Sequence, residues 1–342
     1  MEIEPFDLEA LADELHAIVP GFSGLHAVEK FSTGQSNPTY RVRADSGTYV
    51  LRTKPPGVLL KSAHQIDREY RVMKALGAAG VPVPAMLAIT GEDSAIGRMY
   101  FVMELVAGRI FWDPALHEVH TPAERGAIYD AMNETLAKLH TVDPAEVGLS
   151  DYGRPGNYFA RQIGRWSDQY VASKTDDIPA MDTLMAWLKA NVVDDDGRVS
   201  VVHGDFRLDN MIFDPHAPKV AALIDWELST LGNPLADLAY QCMQLRLPHD
   251  SGFRGLGGLD RAALGIPSEA DYVARYAART GIKVENWPFC LAFSFFRLAA
   301  ILQGVYRRAL DGNASNPERA REIGKAVPLL AEMAVAVTRG EA

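Results

Sequence analysis

Cysteine pairs and long apolar runs are scarce in this sequence, and each absence excludes a class of protein. The 342 residues contain only Cys242 and Cys290, and neither belongs to a CxxC pair. A disulfide framework or a cysteine-based zinc site is therefore not expected. No stretch reaches 18 uninterrupted apolar residues, the length that predicts a membrane-spanning helix. The sequence accordingly predicts no membrane insertion.

Basic residues are also fewer than acidic residues. Lys and Arg number 34 against 44 Asp and Glu, a formal net charge of −10. Proteins that bind nucleic acids need a basic surface for the phosphate backbone, so no nucleic-acid partner is expected. Residues 1–19 carry acidic side chains where a signal peptide needs basic ones, and their apolar positions are periodic. These features favour a cytoplasmic protein.

The N-terminal part of the chain mixes helical and strand patterns. Apolar residues recur at helical spacing over residues 6–19 and 63–79. Asp45-Ser46-Gly47 predicts a hairpin turn between two strands. Strand-like runs occupy residues 26–31, 39–43, 48–53, 86–90 and 99–106.

Helical patterns dominate after residue 106, and only residues 199–225 interrupt them with strand-like character. The helical segments are residues 122–141, 157–172, 179–191, 269–280, 287–310 and 316–337. A small antiparallel sheet with one main helix, followed by a mostly helical part, predicts an α+β fold of two lobes. The N-terminal lobe is expected over residues 1–106 and the C-terminal lobe over residues 107–342.

The most specific motif places a polar loop between short apolar strands. It reads Val201-Val-His-Gly-Asp-Phe-Arg-Leu-Asp-Asn-Met-Ile-Phe213, and a further strand ends at Asp225. A carboxylate such as Asp205 can orient a substrate hydroxyl or accept its proton. The side-chain oxygens of Asn210 and Asp225 are hard ligands that suit Mg²⁺. This division of roles and the His-x-Asp-x-x-x-x-Asn spacing are typical of phosphoryl transfer, whereas the alternative is a solvated loop rich in Asp and Asn.

Two parts of this region resemble a known family. His203-Gly-Asp-Phe-Arg-Leu-Asp-Asn210 and Ile224-Asp-Trp-Glu227 resemble the signature of the aminoglycoside phosphotransferase and choline kinase-like superfamily. Over about residues 20–310, the chain is most similar to the kinase-like domain associated with some acyl-CoA dehydrogenases. The resemblance implies a protein-kinase-like bilobal fold with an ATP site between the lobes, Asp205 as the catalytic residue, and Asn210 and Asp225 as Mg²⁺ ligands.

The resemblance also implies a cation on the third strand, where this sequence has Arg52. A guanidinium can contact phosphate oxygens and pair with a carboxylate, and Glu69 on the following helix is the expected partner. Lys54 lies on the same strand face two residues later and is a weaker substitute. The alternative is an ordinary surface arginine and an unrelated glutamate.

The resemblance also implies that two further stretches of the chain contribute to the nucleotide site. The first strand–strand loop lacks GxGxxG, and its expected phosphate contacts are Ser32, Gly34, Gln35, Ser36 and Asn37. At the hinge, the backbone of Glu104, Leu105 and Val106 would meet the adenine, with Met103 as the neighbouring gate position. A plain polar hairpin and an ordinary strand exit would explain the same residues.

Other polar residues near the motif are expected to have supporting roles. His203 precedes the loop and is expected to hold its backbone. Asp237 resembles the buried aspartate that braces this loop in the superfamily. Glu227 either reaches a second metal through water or points to solvent, and His140 is expected to be a packed helix histidine.

The acceptor pocket is less constrained. Arg207 and Asp209 pair with neighbours or with substrate, and the sequence does not decide between these roles. The helical part offers aromatic side chains and one arginine as material for an apolar pocket with a polar end, although none is assigned a ligand contact. They are Trp112, Tyr158, Phe159, Trp166, Trp287, Phe293, Phe295, Phe296 and Arg297.

These features predict an ATP- and Mg²⁺-dependent phosphotransferase that acts on a hydroxyl of a small molecule. The nearest resemblance suggests a hydroxyacyl-CoA or hydroxy acid as acceptor, with a functional link to an acyl-CoA dehydrogenase. An aminoglycoside, choline or homoserine-type kinase is an alternative, as is a nucleotide-binding pseudokinase. Trp226 and Glu227 replace the Phe-Gly that follows the metal aspartate in protein kinases, which argues against a peptide substrate.

Overall fold

The structure, a computed structural model, describes residues 6–31, 37–56, 65–154, 156–194, 197–250, 254–313 and 316–341. The chain divides into two compact units. The first consists of Met1–Arg109, Ala145–Leu149 and Asn210–Ser229, and the second of Ile110–Pro144, Ser150–Asp209 and Thr230–Ala342. The chain after residue 106 therefore contributes to both units.

The strands form one larger sheet and two short pairs. Among the described residues, five strands make an antiparallel sheet in the order β1-β2-β3-β5-β4, while β6 pairs with β9 and β7 with β8. The strands are β1 (Leu25–Lys30), β2 (Thr39–Ala44), β3 (Gly47–Thr53), β4 (Met86–Ile89), β5 (Tyr100–Glu104), β6 (Ser200–Val202), β7 (Met211–Phe213), β8 (Val220–Leu223) and β9 (Thr230–Gly232).

Helices provide most of the second unit, whereas α1 and α2 belong to the first. They are α1 (Leu8–Ile18), α2 (Ile66–Ala78), α3 (Pro122–Thr141), α4 (Tyr158–Ser173), α5 (Pro179–Ala190), α6 (Leu235–Arg246), α7 (Arg261–Leu264), α8 (Glu269–Thr280), α9 (Trp287–Leu310), α10 (Pro317–Gly324) and α11 (Val327–Arg339). The predicted α+β fold, with a small antiparallel sheet and a mostly helical part, is confirmed.

The first unit is held together by a core between α1 and the sheet. Asp7 caps α1 by accepting hydrogen bonds from the backbone N–H groups of Glu9 and Ala10. Leu11 and Leu15 on this helix are fully buried in a cluster with strand residues of β1, β2, β3, β4 and β5. The predicted hairpin turn is confirmed, because Ala44 pairs with Gly47 across the two turn residues. Strand β3, which carries Arg52, is therefore supported by this hydrophobic core.

A second hairpin in the first unit carries two predicted metal ligands. Strands β7 and β8 pair from Met211 opposite Leu223. One residue beyond this pair, the Ile224 N–H donates to the Asn210 backbone carbonyl at 2.9 Å. Asn210 and Asp225 consequently lie at the same end of this hairpin.

The core of the second unit is built around α9. Twelve consecutive residues of this helix, from Phe289 to Ala300, are buried, and it packs against α4, α5, α6, α10 and α11. By length and composition α9 could cross a membrane, but 78% of its most apolar 18-residue window is buried inside the protein. That environment fits the central helix of a helical core.

Two helix predictions differ from the structure. The segment 316–337 forms two helices, α10 and α11, because Pro328 in the first turn of α11 has no N–H with which to continue the hydrogen bonds of α10. Helix α6 was not predicted. Ten of its twelve residues are buried, so the sequence lacks the polar face that reveals an amphipathic helix.

Candidate active site

Asp237 holds the backbone at the start of the predicted catalytic loop. This loop follows the buried strand β6. The Asp237 carboxylate accepts hydrogen bonds from the N–H groups of His203 at 2.6 Å and Gly204 at 2.9 Å. Gly204 has a φ of 85°, a conformation in which glycine carries no steric cost. The structure therefore gives Asp237 contacts that can fix the path of the chain into Asp205.

Asp237 is fully buried, and its charge is compensated by histidines. Burial alone would raise its pKa, but the hydrogen bond and charge of His140, with His203 and Gly204, hold the pKa of Asp237 below its ordinary value. The His140 Nε2 lies 3.3 Å from the Asp237 Oδ2, and its Nδ1 lies 2.7 Å from the Tyr276 hydroxyl. His140 was expected only to pack, and its bond to a residue 97 positions away has no local sequence signal.

The Asp205 side chain is oriented by a tyrosine that sequence reasoning missed. The Tyr240 hydroxyl on α6 donates a hydrogen bond of 2.7 Å to Asp205 Oδ1. Burial, followed by the charge of Asp205, raises the pKa of Tyr240 well above its ordinary value, so the phenol stays protonated and can donate. The Asp205 N–H donates to His203 Nδ1 at 3.2 Å. Both contacts restrict the orientation of Asp205.

Arg207 and Asp209, whose roles the sequence left open, pair with each other. The Arg207 Nε and one terminal nitrogen donate to the two Asp209 carboxylate oxygens, a bidentate arrangement. Burial opposes the charge of Arg207, but Asp209 outweighs it and raises the pKa of Arg207. This pair lies within the loop between Asp205 and Asn210.

Arg52 gathers three carboxylates in the first unit. Its Nε lies 2.9 Å from Glu69 Oε2 on α2, as the sequence predicted for the pair. Its terminal nitrogen Nη2 lies 3.2 Å from Asp225 Oδ1 and 3.9 Å from Glu227 Oε2. Burial lowers the pKa of Arg52, yet Glu69, Asp225 and Glu227 outweigh it and raise that pKa overall. Lys54 is engaged elsewhere, in an ion pair with Glu92.

Glu69 is the buried member of this cluster. Asn37 is itself buried, and its Nδ2 donates to Glu69 Oε1 at 2.8 Å. Burial raises the pKa of Glu69 to about 7, although Arg52 opposes the shift. The Asn37 side chain therefore supports Glu69, and its predicted contact with phosphates stays a prediction. Ser32, Gly34, Gln35 and Ser36 lie outside the described residues.

Asn210 and Asp225 offer oxygen donors that fit a magnesium ion. Both lie at one end of the β7–β8 hairpin, as described above. Asp225 has φ 67° and ψ 63°, a left-handed conformation uncommon for a residue with a side chain. Such strained residues cluster at functional sites. Its side chain is 39% exposed, so a cation could reach the carboxylate.

The predicted hinge spans the end of β5 and the residues after it. Strand β5 ends at Glu104, and Leu105 and Val106 come directly after it. The Glu104 N–H donates to the Ala85 carbonyl, and the Glu104 carboxylate accepts from the Ala85 N–H at 2.9 Å. Met103 pairs with Val50 on β3 and Met86 on β4. Glu104 thus has a structural role in joining the edge of the sheet.

Comparisons with known proteins identify the family to which this chain belongs. The model of the phosphotransferase enzyme family matches residues 27–288. A crystal structure from Ralstonia eutropha, provisionally named as an aminoglycoside phosphotransferase, is 49% identical, has a TM-score of 0.90, and matches over 98% of this chain and 99% of that one. This chain therefore belongs to the phosphotransferase enzyme family, and the resemblance inferred from the loop motif is confirmed.

Curated relatives carry a second name. Acyl-CoA dehydrogenase family member 10 of Mus musculus is 46% identical over 94% of this chain, and family member 11 of Rattus norvegicus is 45% identical over 92%. This chain spans only 30% and 41% of those proteins. The predicted likeness to a domain associated with acyl-CoA dehydrogenases is thereby confirmed.

More distant structures share the fold. An aminoglycoside phosphotransferase variant in ternary complex with AMP-PNP and hygromycin B has a TM-score of 0.62 at 17% identity, over 97% of this chain and 99% of that one. At that identity the likeness shows a common fold. The predicted kinase-like fold is confirmed by these neighbours.

Proposed function

We propose that this protein transfers the γ-phosphoryl group of ATP, with Mg²⁺, to a hydroxyl of a small molecule. The observation that carries the proposal is that neighbouring residues hold both the backbone and the side chain of Asp205 in place. A buried aspartate holds the backbone before it, and a protonated tyrosine donates to its carboxylate. A surface loop rich in Asp and Asn would not need such supports.

The chemistry assigns a separate role to each group. Asp205 aligns the acceptor hydroxyl and takes its proton as the hydroxyl oxygen bonds to the γ-phosphorus and the bond to the leaving ADP oxygen breaks. Asn210 and Asp225 would hold the Mg²⁺, which neutralises charge on the phosphates when bound. Arg52, positioned by Glu69, would contact phosphate oxygens.

The remaining nucleotide contacts follow the family pattern. The backbone of Glu104 to Val106, after the end of β5, is proposed to meet the adenine. The loop with Ser32, Gly34, Gln35 and Ser36 is proposed to cover the phosphates through its N–H groups. These contacts use the main chain, so they depend little on side-chain identity.

The preferred acceptor is a hydroxyacyl-CoA or a hydroxy acid. The support is the name of the curated relatives, acyl-CoA dehydrogenase family members. Phosphorylation would also convert a poor leaving group, hydroxide, into a good one. A functional link to an acyl-CoA dehydrogenase belongs to the same proposal. An aminoglycoside acceptor is the second candidate, because the Ralstonia protein bears that name.

A screen of ATP consumption tests this function. The wild-type protein with ATP and Mg²⁺ is assayed against 4-hydroxyacyl-CoAs, hydroxy acids, choline, homoserine and aminoglycosides. We expect turnover with an acyl compound and a fall in kcat of about 100-fold or more for Asp205→Asn, with ATP binding kept. Asp168→Asn, at an exposed position on α4, is the matched control. Nucleotide binding with no transfer to any acceptor would instead indicate a pseudokinase.

A further inference from the structure

Arg297 is a buried cation without a counter-charge. It lies within the twelve consecutive buried residues of α9 and is 6% exposed. Its Nε has no hydrogen-bond partner. Within the part of the chain that the structure describes, no carboxylate forms an ion pair with Arg297 and no acceptor binds its guanidinium. Arginine is almost never so buried unless paired, because desolvating the charge is costly.

Two aromatic rings hold this guanidinium in place. Its central carbon lies 5.7 Å from the centroid of the Trp166 ring on α4 and 5.6 Å from that of Tyr240 on α6. Cation–π attraction to these rings offsets part of the desolvation cost. It does not satisfy the N–H groups, which need oxygen acceptors. The cation is therefore held by two aromatic rings, and its Nε has no acceptor among the described residues.

The same tyrosine connects Arg297 to the proposed catalytic residue. Its ring contacts the guanidinium, and its hydroxyl donates to Asp205. All four side chains, including Trp166, belong to the second unit. A single aromatic ring thus separates the carboxylate that would receive the acceptor hydroxyl from a positive charge that lacks a partner.

We propose that Arg297 binds an oxyanion of the phosphoryl acceptor while Asp205 holds the acceptor hydroxyl. The inference rests on the proposed phosphotransferase function and narrows its substrate to an anionic hydroxy compound. A guanidinium binds carboxylates and phosphates through paired N–H groups. It would repel the ammonium groups of an aminoglycoside. The oxyanion is either the carboxylate of a hydroxy acid or a phosphate of a CoA thioester.

The test compares charged and neutral acceptors on the wild-type protein, Arg297→Met and Arg297→Lys. The probes are 4-hydroxybutanoate, its neutral amide, 4-hydroxybutanoyl-CoA, free CoA and hygromycin B. Each is measured by isothermal titration and, where turnover occurs, by KM and kcat. Arg308→Met, at an exposed position on the same helix, is the matched control, and circular dichroism checks folding.

The expected result is a charge-selective loss. Arg297→Met should weaken binding of the anionic probe about tenfold or more, with little change in kcat and none for the amide. Loss with 4-hydroxybutanoate identifies a carboxylate, and loss with both thioester and free CoA identifies a phosphate. If Arg297→Met does not fold, Arg297→Lys carries the test, because lysine keeps the charge but lacks the planar fork. It should then weaken only the anionic probe.

Other results would overturn this inference or separate it from the proposed function. Equal losses for the acid and its amide, tight binding of hygromycin B, or no binding of any anionic probe would overturn the inference. Arg297-dependent binding of an anion without phosphoryl transfer would support this site and contradict the proposed function. Phosphoryl transfer with the same KM and kcat in the wild-type protein and Arg297→Met would support the proposed function and contradict the proposed role of Arg297.

Discussion

Arg52 and Arg297 are two arginines largely withdrawn from solvent, and their surroundings differ. Arg52 lies on a strand of the first unit with Glu69, Asp225 and Glu227 all within 4 Å of its nitrogens. Arg297 lies in the core helix of the second unit and, among the described residues, has no carboxylate partner. One positive charge is compensated by the protein itself, whereas the other depends on aromatic rings.

This difference separates two uses of a buried arginine. The carboxylates around Arg52 fix its position at the proposed phosphate and metal site, so removing it takes away the positive charge that the buried Glu69 faces. Removing Arg297 breaks no ion pair, because it forms none with the residues that the structure describes. The first arginine should therefore matter for folding, and the second for an anionic ligand.

The largest effect is expected for Arg52→Met. Because this change removes the counter-charge of the buried Glu69, we expect a loss of about 3–5 kcal/mol in the free energy of unfolding, measured in urea at pH 8. Arg308→Met, at an exposed helix position, should change it far less. Equal costs for the two variants would show that the Arg52 cluster contributes little.

Glu69 in the same cluster should make the stability of the protein depend on pH. Its pKa is raised in the folded protein to about 7 from an ordinary 4.5, so the folded state binds this proton more tightly than the unfolded chain. The resulting stability is present below pH 4.5 and is lost as the pH rises through about 7.

Relative to Glu69→Gln, the wild-type protein should therefore lose about 2 kcal/mol of stability between pH 5 and pH 7, since one pKa unit corresponds to about 1.4 kcal/mol. Urea unfolding of both proteins across this range measures the difference. Glu332→Gln on α11, an exposed residue, is the control. A difference that stays constant with pH would falsify the raised pKa.

Tyr240 is shared between Asp205 and Arg297, and Tyr240→Phe tests the two contacts separately. The variant removes the hydroxyl that donates to Asp205 and keeps the ring beside Arg297. A hydrogen bond to a charged group is worth about 1.5 kcal/mol or more, so we expect kcat to fall about tenfold while KM for the anionic acceptor stays nearly constant. A large rise in KM with unchanged kcat would contradict this positioning role.

The smallest effect is expected for the stability of Arg297→Met in the absence of ligand. Replacing a buried charge without a protein partner by an apolar side chain relieves desolvation and loses the cation–π contacts. We expect a free energy of unfolding within about 1 kcal/mol of the wild type. A loss as large as that of Arg52→Met would mean that Arg297 is a structural residue, and the contrast between the two arginines would disappear.

Local patterns in the sequence predicted much of this fold. Alternating apolar residues and the Asp45-Ser46-Gly47 turn correctly indicated the sheet, because both are short-range signals. The loop motif led to the family, and the Arg52–Glu69 pair was found as expected. The roles of Asp205, Asn210 and Asp225 stay predictions until they are tested by mutation.

What sequence reasoning missed depends on contacts between residues that are far apart in the sequence. The bonds of Tyr240 to Asp205 and of His140 to Asp237 join residues 35 and 97 positions apart, and no local pattern specifies such pairs. Helix α6 was not predicted because it is buried on nearly all sides, so its sequence lacks the alternation of apolar and polar residues that marks an amphipathic helix. Arg297 did leave a signal, namely a charged residue inside a long apolar helix, but its lack of a partner required the structure.

Direct detection of a phosphorylated product tests the central claim. The wild-type protein and Asp205→Asn are incubated with ATP, Mg²⁺ and either 4-hydroxybutanoate or 4-hydroxybutanoyl-CoA, and the acceptor is analysed by mass spectrometry. We predict an acceptor that carries one added phosphoryl group with the wild-type protein, and about 100-fold less product with the variant. ATP binding by both proteins with no phosphorylated acceptor, or equal product from both, would contradict the account.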